Sequence, residues 1–113
     1  MLANLESEQE VIVQFRYYRP DRTPLVKLEE RLMEAVKAAY VGAYERNRTT
    51  VRGIDHRLSI VGPDAEKIFA IVQPILATTP FLGNAQATIR YGANNDELAE
   101  QRVVSIATHG ASH

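Results

Sequence analysis

Few residues in this chain carry reactive chemistry, and their spacing limits what that chemistry can be. The three histidines are His56, His109 and His113. The last two stand four apart, but they fall in a glycine-containing tail with no nearby acid to complete a metal site. They read as part of a terminus. Asp55-His56 places a carboxylate beside an imidazole, yet neighbours in a strand or turn point apart, and no serine sits on a strand-to-helix elbow to act as nucleophile. The pair reads as part of a turn. Gly62-Pro63-Asp64-Ala65 lies where an anion could meet a helix start, but Asp64 would repel it and Pro63 offers no N–H. With no cysteine there is no disulfide, no thiolate metal site and no thiol nucleophile. These residues argue for no catalytic site, no cofactor and no metal.

The remaining chemistry is cationic. Arg16, Arg52, Arg57 and Arg90 lie in stretches with the pattern of strands, whereas Lys27, Lys37 and Lys67 lie in stretches with the pattern of helices. Guanidinium groups grip carboxylates and phosphates bidentately and are favoured at interfaces, so the strands that carry them are worth placing.

Val11 to Tyr18 alternates, with Val11, Val13, Phe15 and Tyr17 on one face and Ile12, Gln14, Arg16 and Tyr18 on the other. Arg19-Pro20-Asp21-Arg22 breaks this strand. Thr23-Pro24 then supplies a capping hydroxyl and a proline at the first helical position. Leu25, Leu28, Leu32, Val36, Ala39 and Ala43 follow at three- and four-residue intervals and predict a helix reaching Arg46, with Asn47 as its left-handed cap. Thr49 to Val61 reads as two short strands around Gly53-Ile54-Asp55-His56, the second turning Leu58 and Ile60 inward and Arg57, Ser59 and Val61 outward. Pro63, Asp64 and Glu66 open a second helix with the stripe Ile68, Phe69, Val72, Ile75 and Leu76, in which Pro74 predicts a kink. Ala85 to Tyr91 and Val103 to Thr108 are the last strands, the first with Gln86, Thr88 and Arg90 outward. Tyr17, Tyr40, Tyr44 and Tyr91 read as bulk in the core and at its edge.

The order is strand, helix, strand, strand, helix, strand, plus one strand. Right-handed crossovers applied to two split βαβ units put the first and third strands at the centre of an antiparallel sheet with both helices on one face. The expected fold is therefore α+β, a ferredoxin-like two-layer sandwich, βαββαβ with one added C-terminal strand. At 113 residues this is one domain, residues 1–113, with 1–9 and 109–113 as flexible termini. The start of the chain lacks the basic and apolar segments of a signal peptide, and no apolar run approaches the ~20 residues that span a bilayer, so a cytoplasmic location without membrane contact is expected.

The run GPDAEKIFAIVQPILATTPF followed by ATIRYG resembles a pattern of small uncharacterised bacterial proteins, a Gly-Pro-Asp helix start, an apolar helix, a Pro-Phe turn and an Arg-Tyr-Gly strand end. The resemblance covers the middle and later half of the chain. It implies the two-layer fold and a bacterial cytoplasmic home, and carries no active-site residues with it.

One sheet face is left without helices, and it collects Gln14, Arg16, Tyr18, Arg52, Arg57, Ser59 and Arg90. Nucleic acid is not the expected partner, because the net charge is −1 and the first and third strands offer only Tyr18 for base stacking. Two functions from different classes remain. The first is a non-catalytic protein-binding module that uses this face or a sheet edge, for instance an immunity or inhibitor protein acting by occlusion, or a homodimer through the face with its arginines on Glu10 or Asp55 across a dyad. The second is a sensor or enzyme for a small anionic ligand, with Arg16, Arg57 and Arg90 as clamps and Tyr18 as donor.

Overall fold

The computed structural model describes residues 9–18, 20–49, 54–83, 85–92 and 100–106, the side chains at 46–49 excepted. Its elements are β1 (Gln9–Arg16), α1 (Thr23–Ala38), β2 (Ala43–Thr49), β3 (Asp55–Gly62), α2 (Ala65–Ala77), a single 3-10 turn (Pro80–Leu82), β4 (Gln86–Arg90) and β5 (Gln101–Ser105). The five strands form one sheet in the order β2-β3-β1-β4-β5, antiparallel throughout. With both helices on one face, this is the ferredoxin-like sandwich with a fifth strand added beside β4. No described helix is long and apolar enough to cross a membrane.

The core follows from two periodicities meeting. Val11, Val13 and Phe15 of β1, Leu58 and Ile60 of β3, and Ala87 and Ile89 of β4 turn to the helices, and the stripes Leu25, Leu28, Leu32, Val36 and Ile68, Phe69, Val72, Leu76 close over them. At the lower end Phe15, Tyr17 and Phe81 pack with His56, whose ring stacks on Phe15 at 5.4 Å between centroids and meets Tyr17 edge-on. His56 is thus a buried residue of β3 facing the core, and Asp55 points the opposite way, as adjacent strand residues must.

Several local expectations are corrected. α1 stops at Ala38, and the stretch expected to carry it on to Arg46 is strand β2. The stop is a Schellman end, with Tyr40 N–H on the Lys37 carbonyl and Val41 N–H on the Val36 carbonyl. Tyr40 holds the left-handed position of that motif at φ 56°, where a side chain costs roughly 1–2 kcal/mol relative to glycine. Its ring is fully exposed and contributes nothing to the core, unlike Tyr17, Tyr44 and Tyr91. The Thr23 hydroxyl does not cap α1; the Asp21 carboxylate accepts from Thr23 N–H instead. Asp64 caps α2, accepting from Glu66 and Lys67 N–H. α2 continues through Pro74 because the carbonyl that loses its donor, that of Ala70, lies on an exposed turn within reach of water. β1 begins at Gln9, which was expected to lie in the terminus, and uses its side chain to accept from Ala65 N–H.

Two contacts hold the layers in place. At the corner where α1 turns into β2 and β3 turns into α2, Gly42 and Gly62 cross with their main chains touching. A Cβ on Gly62 would stand 2.2 Å from the Val41 carbonyl oxygen, and one on Gly42 would stand 2.1 Å from that of Val61. At the far side, Arg102 of β5 donates to both oxygens of Glu66 in the first turn of α2, at 2.9 and 3.1 Å, and Tyr91 donates its hydroxyl to the same carboxylate. The Tyr91 hydrogen bond first, and Arg102 second, hold the Glu66 carboxyl below its ordinary pKa. This clasp fastens β5 to α2.

Gly62→Ala is expected to destabilise the protein by about 1–3 kcal/mol, since only a main-chain shift can make room; urea unfolding monitored by circular dichroism measures it, and an unchanged midpoint would contradict the crossing. For the clasp, a carboxylate with a lowered folded pKa contributes fully above the unfolded value and loses that contribution as pH falls through the folded one. Hydrogen exchange of residues 101–105, corrected for intrinsic rates, should therefore accelerate relative to β1 as the pH drops below the ordinary glutamate range, and Glu66→Gln should remove that dependence.

Candidate functional site

Rows of side chains cross the sheet face that no described helix covers, and the ladder fixes their order. Arg16 stands opposite Asp55. In the next row Gln14 lies between Arg57 and Gln86, with Ser105 beyond. Ile12 then lies between Ser59 and Thr88, with Val103 beyond. Last comes Glu10 between Val61 and Arg90, with Gln101 beyond. Five of the residues expected on this surface, Gln14, Arg16, Arg57, Ser59 and Arg90, thus share one face. Tyr18 lies just past the end of β1, 65% exposed. Arg52 lies outside the described residues, as do His109 and His113.

The centre of the face is closed and its margins are open. Ile12 is 5% and Glu10 8% exposed although both point away from the helices; Ile12 sits mid-sheet between Ser59 and Thr88 and between Glu10 and Gln14, and Glu10 is flanked by Val61 and Arg90. Ser59, also buried, donates its hydroxyl to Glu10. Its part is therefore to orient and satisfy a carboxylate that burial would otherwise penalise. At the lower margin Arg16 Nε donates to Asp55 Oδ1 at 3.2 Å, and the guanidinium is held above its ordinary pKa first by Tyr18 and then by Asp55. Arg57, Gln14 and Gln86 form an exposed polar row above that pair.

Two features of this face escape the sequence reading. Glu10 falls in the stretch read as lying before the first strand, yet it occupies the row between Val61 and Arg90. On the edge strand, the register sets Arg46 opposite Ser59 and Arg48 opposite Arg57. The ladder thus sets positions 46 and 48 level with these rows, on a strand that the helix-like spacing of Ala39 and Ala43 concealed. The signal available was the alternation of Arg46, Asn47, Arg48 and Thr49, which suits a half-exposed strand better than a helix end.

The arrangement can present charge and hydrogen bonds to a surface. Among the described side chains, the guanidiniums of Arg16, Arg57 and Arg90 and the carboxylates of Asp55 and Glu10 stand on this face. No cluster of histidine and carboxylate side chains able to hold a metal occurs among the described residues.

Ser59→Ala strips the hydroxyl from a buried carboxylate and should cost about 1–3 kcal/mol. Asp55→Asn breaks a solvent-exposed pair and should change stability by less than about 1 kcal/mol. Parallel urea titrations compare the two, and an equal loss would mean that Glu10 is not held as described.

Comparison of the chain with protein-family models, with curated proteins and with solved structures gives no match, so its functional reading rests on the geometry of this sheet.

Proposed function

We propose that the chain is a non-catalytic binding module that holds a protein partner on the sheet face that no described helix covers, the arginines meeting carboxylates of the partner. The observation that carries this reading is the common orientation of Gln14, Arg16, Arg57 and Arg90 around a closed apolar and hydroxyl centre. A rim of charge around Ile12 and Ser59 matches the way interfaces distribute polarity.

The same register weighs against a clamp on a small anion. With strands ~4.8 Å apart and ~3.3 Å per residue, the backbone of Arg90 lies roughly 16 Å from that of Arg57 and roughly 20 Å from that of Arg16. The backbones of Arg16 and Arg57 are roughly 8 Å apart, but Arg90 stands so far from both that the three suit an extended surface better than one phosphate or carboxylate. Pairing this face with itself is also poorly supported, because the acids it would offer are engaged at home, Asp55 by Arg16 and Glu10 by Ser59. An occluding role, such as inhibition of a toxin or enzyme in a bacterial cytoplasm, fits a face of this kind.

A photo-crosslinking amino acid at position 14 or 86, introduced in the native host, should capture one protein that the same group at position 34 on the outer side of α1 does not. With that protein purified, Arg57→Glu should weaken binding at least tenfold, and added salt should slow association. Equal capture from both sides of the molecule, or affinity indifferent to Arg57→Glu, would remove this reading.

A further inference from the structure

β2 is the outermost strand of the sheet, bonded to β3 alone among the described strands. α1 packs on α2 along one flank and over β2 along the other. The flank toward β2 is marked by Glu29, whose carboxylate accepts from the Tyr44 hydroxyl of β2 at 2.7 Å. Burial pushes the Tyr44 phenol up, with Glu29 adding to the shift, so the hydroxyl keeps its proton and the donation persists.

Just outside Glu29 around the helix runs a line of apolar residues in water. Val26 is 48% exposed, Met33 47% and Tyr40 93%. Their seven-residue spacing keeps them in register along the helix, drifting only about 20° per step. Tyr40, one step beyond the helix, holds a left-handed backbone that glycine would adopt more readily. Among the described residues nothing packs on an aromatic ring there. Among the described residues, the molecule therefore carries a strand edge with a single ladder partner and, on the flank of α1 toward it, an apolar line exposed to water.

We propose that a second copy of this chain covers both, β2 running antiparallel to β2 and α1 antiparallel to α1 about a twofold axis at Met33. The spacing on α1 favours a copy over an unrelated strand. A dyad at Met33 sets each residue against the one equally far on the other side. Met33 meets Met33 of the other copy, and Val26, seven before it, meets Tyr40, seven after it. Glu29, four before, comes level with Lys37, four after. Small thus faces large and carboxylate faces ammonium, each twice, which is what an isologous interface requires. The paired edge adds main-chain hydrogen bonds and removes an open strand. The product is a ten-stranded sheet whose two arginine faces lie on the same side, uncovered. The helix residues at this seam, Val26, Glu29, Met33, Lys37 and Tyr40, are distinct from Gln14, Arg16, Arg57 and Arg90 of the face assigned above to a partner, so either assignment can fail alone.

Because the chain has no cysteine, Met33→Cys introduces a sole thiol. In the full-length protein a short bismaleimide should join two copies through position 33, whereas Glu34→Cys, one residue further round α1, should join them far less. Sedimentation equilibrium should give twice the chain mass for the unaltered protein. Met33→Glu should return it to the chain mass with its circular dichroism unchanged, because the position is half exposed. Lys37→Glu should weaken association at least tenfold, and combining it with Glu29→Lys should restore most of that loss. A particle of single-chain mass at every concentration overturns the proposal, as does a dimer that survives Met33→Glu or one whose double charge exchange restores nothing.

Discussion

The packing of hydrocarbon between the helices and one side of the sheet decides where every other group stands. Val11, Val13, Leu58, Ile60, Ala87 and Ile89 must face α1 and α2, and a strand offers only two sides. Once these are buried, Gln14, Arg16, Arg57 and Arg90 have no choice but the opposite face. A slip of one residue in any strand would exchange the two sets, placing guanidinium groups under the helices at a cost no small domain could bear. The charge carried by the face opposite the helices is therefore specified by residues on the other side of the sheet.

This explains why most of the architecture was legible in the amino-acid order. The alternation of β1, β3 and β4 and the stripes of α1 and α2 each point to the same core, and the crossover rule then leaves one strand order. The face residues on those strands follow directly. The reading failed where the usual punctuation is missing. α1 ends at a left-handed residue, the position where glycine normally marks the stop, and this chain has Tyr40 there. With no glycine until Gly42 and with alanines at 39 and 43 sustaining the helical spacing, the end was hidden and β2 was lost in it. The same displacement put the start of the second strand at Thr49, the residue where β2 ends. Burial at Ile12, Glu10 and Ser59 was also out of reach, because it depends on ladder partners that only the folded register supplies.

The two sides of the molecule divide their work. The sheet face carries charge at its margins around a closed centre. The α1 flank carries apolar residues above an open strand edge, a combination suited to repetition of the same unit. At the opposite edge β5 is short and mostly exposed, and is held by its ladder to β4 and by the Glu66, Tyr91 and Arg102 clasp. The fifth strand thus shields the β4 edge that a four-stranded version of the fold would leave bare.

The crossing of Gly42 and Gly62 has a consequence for how the domain comes apart. One glycine belongs to the first βαβ half and the other to the second, and their contact is main chain on main chain, so no side-chain rearrangement can substitute for it. Neither half can be seated while the other is loose. Fraying that begins at either corner must propagate to both, and the two halves should lose their structure as one cooperative unit rather than in succession.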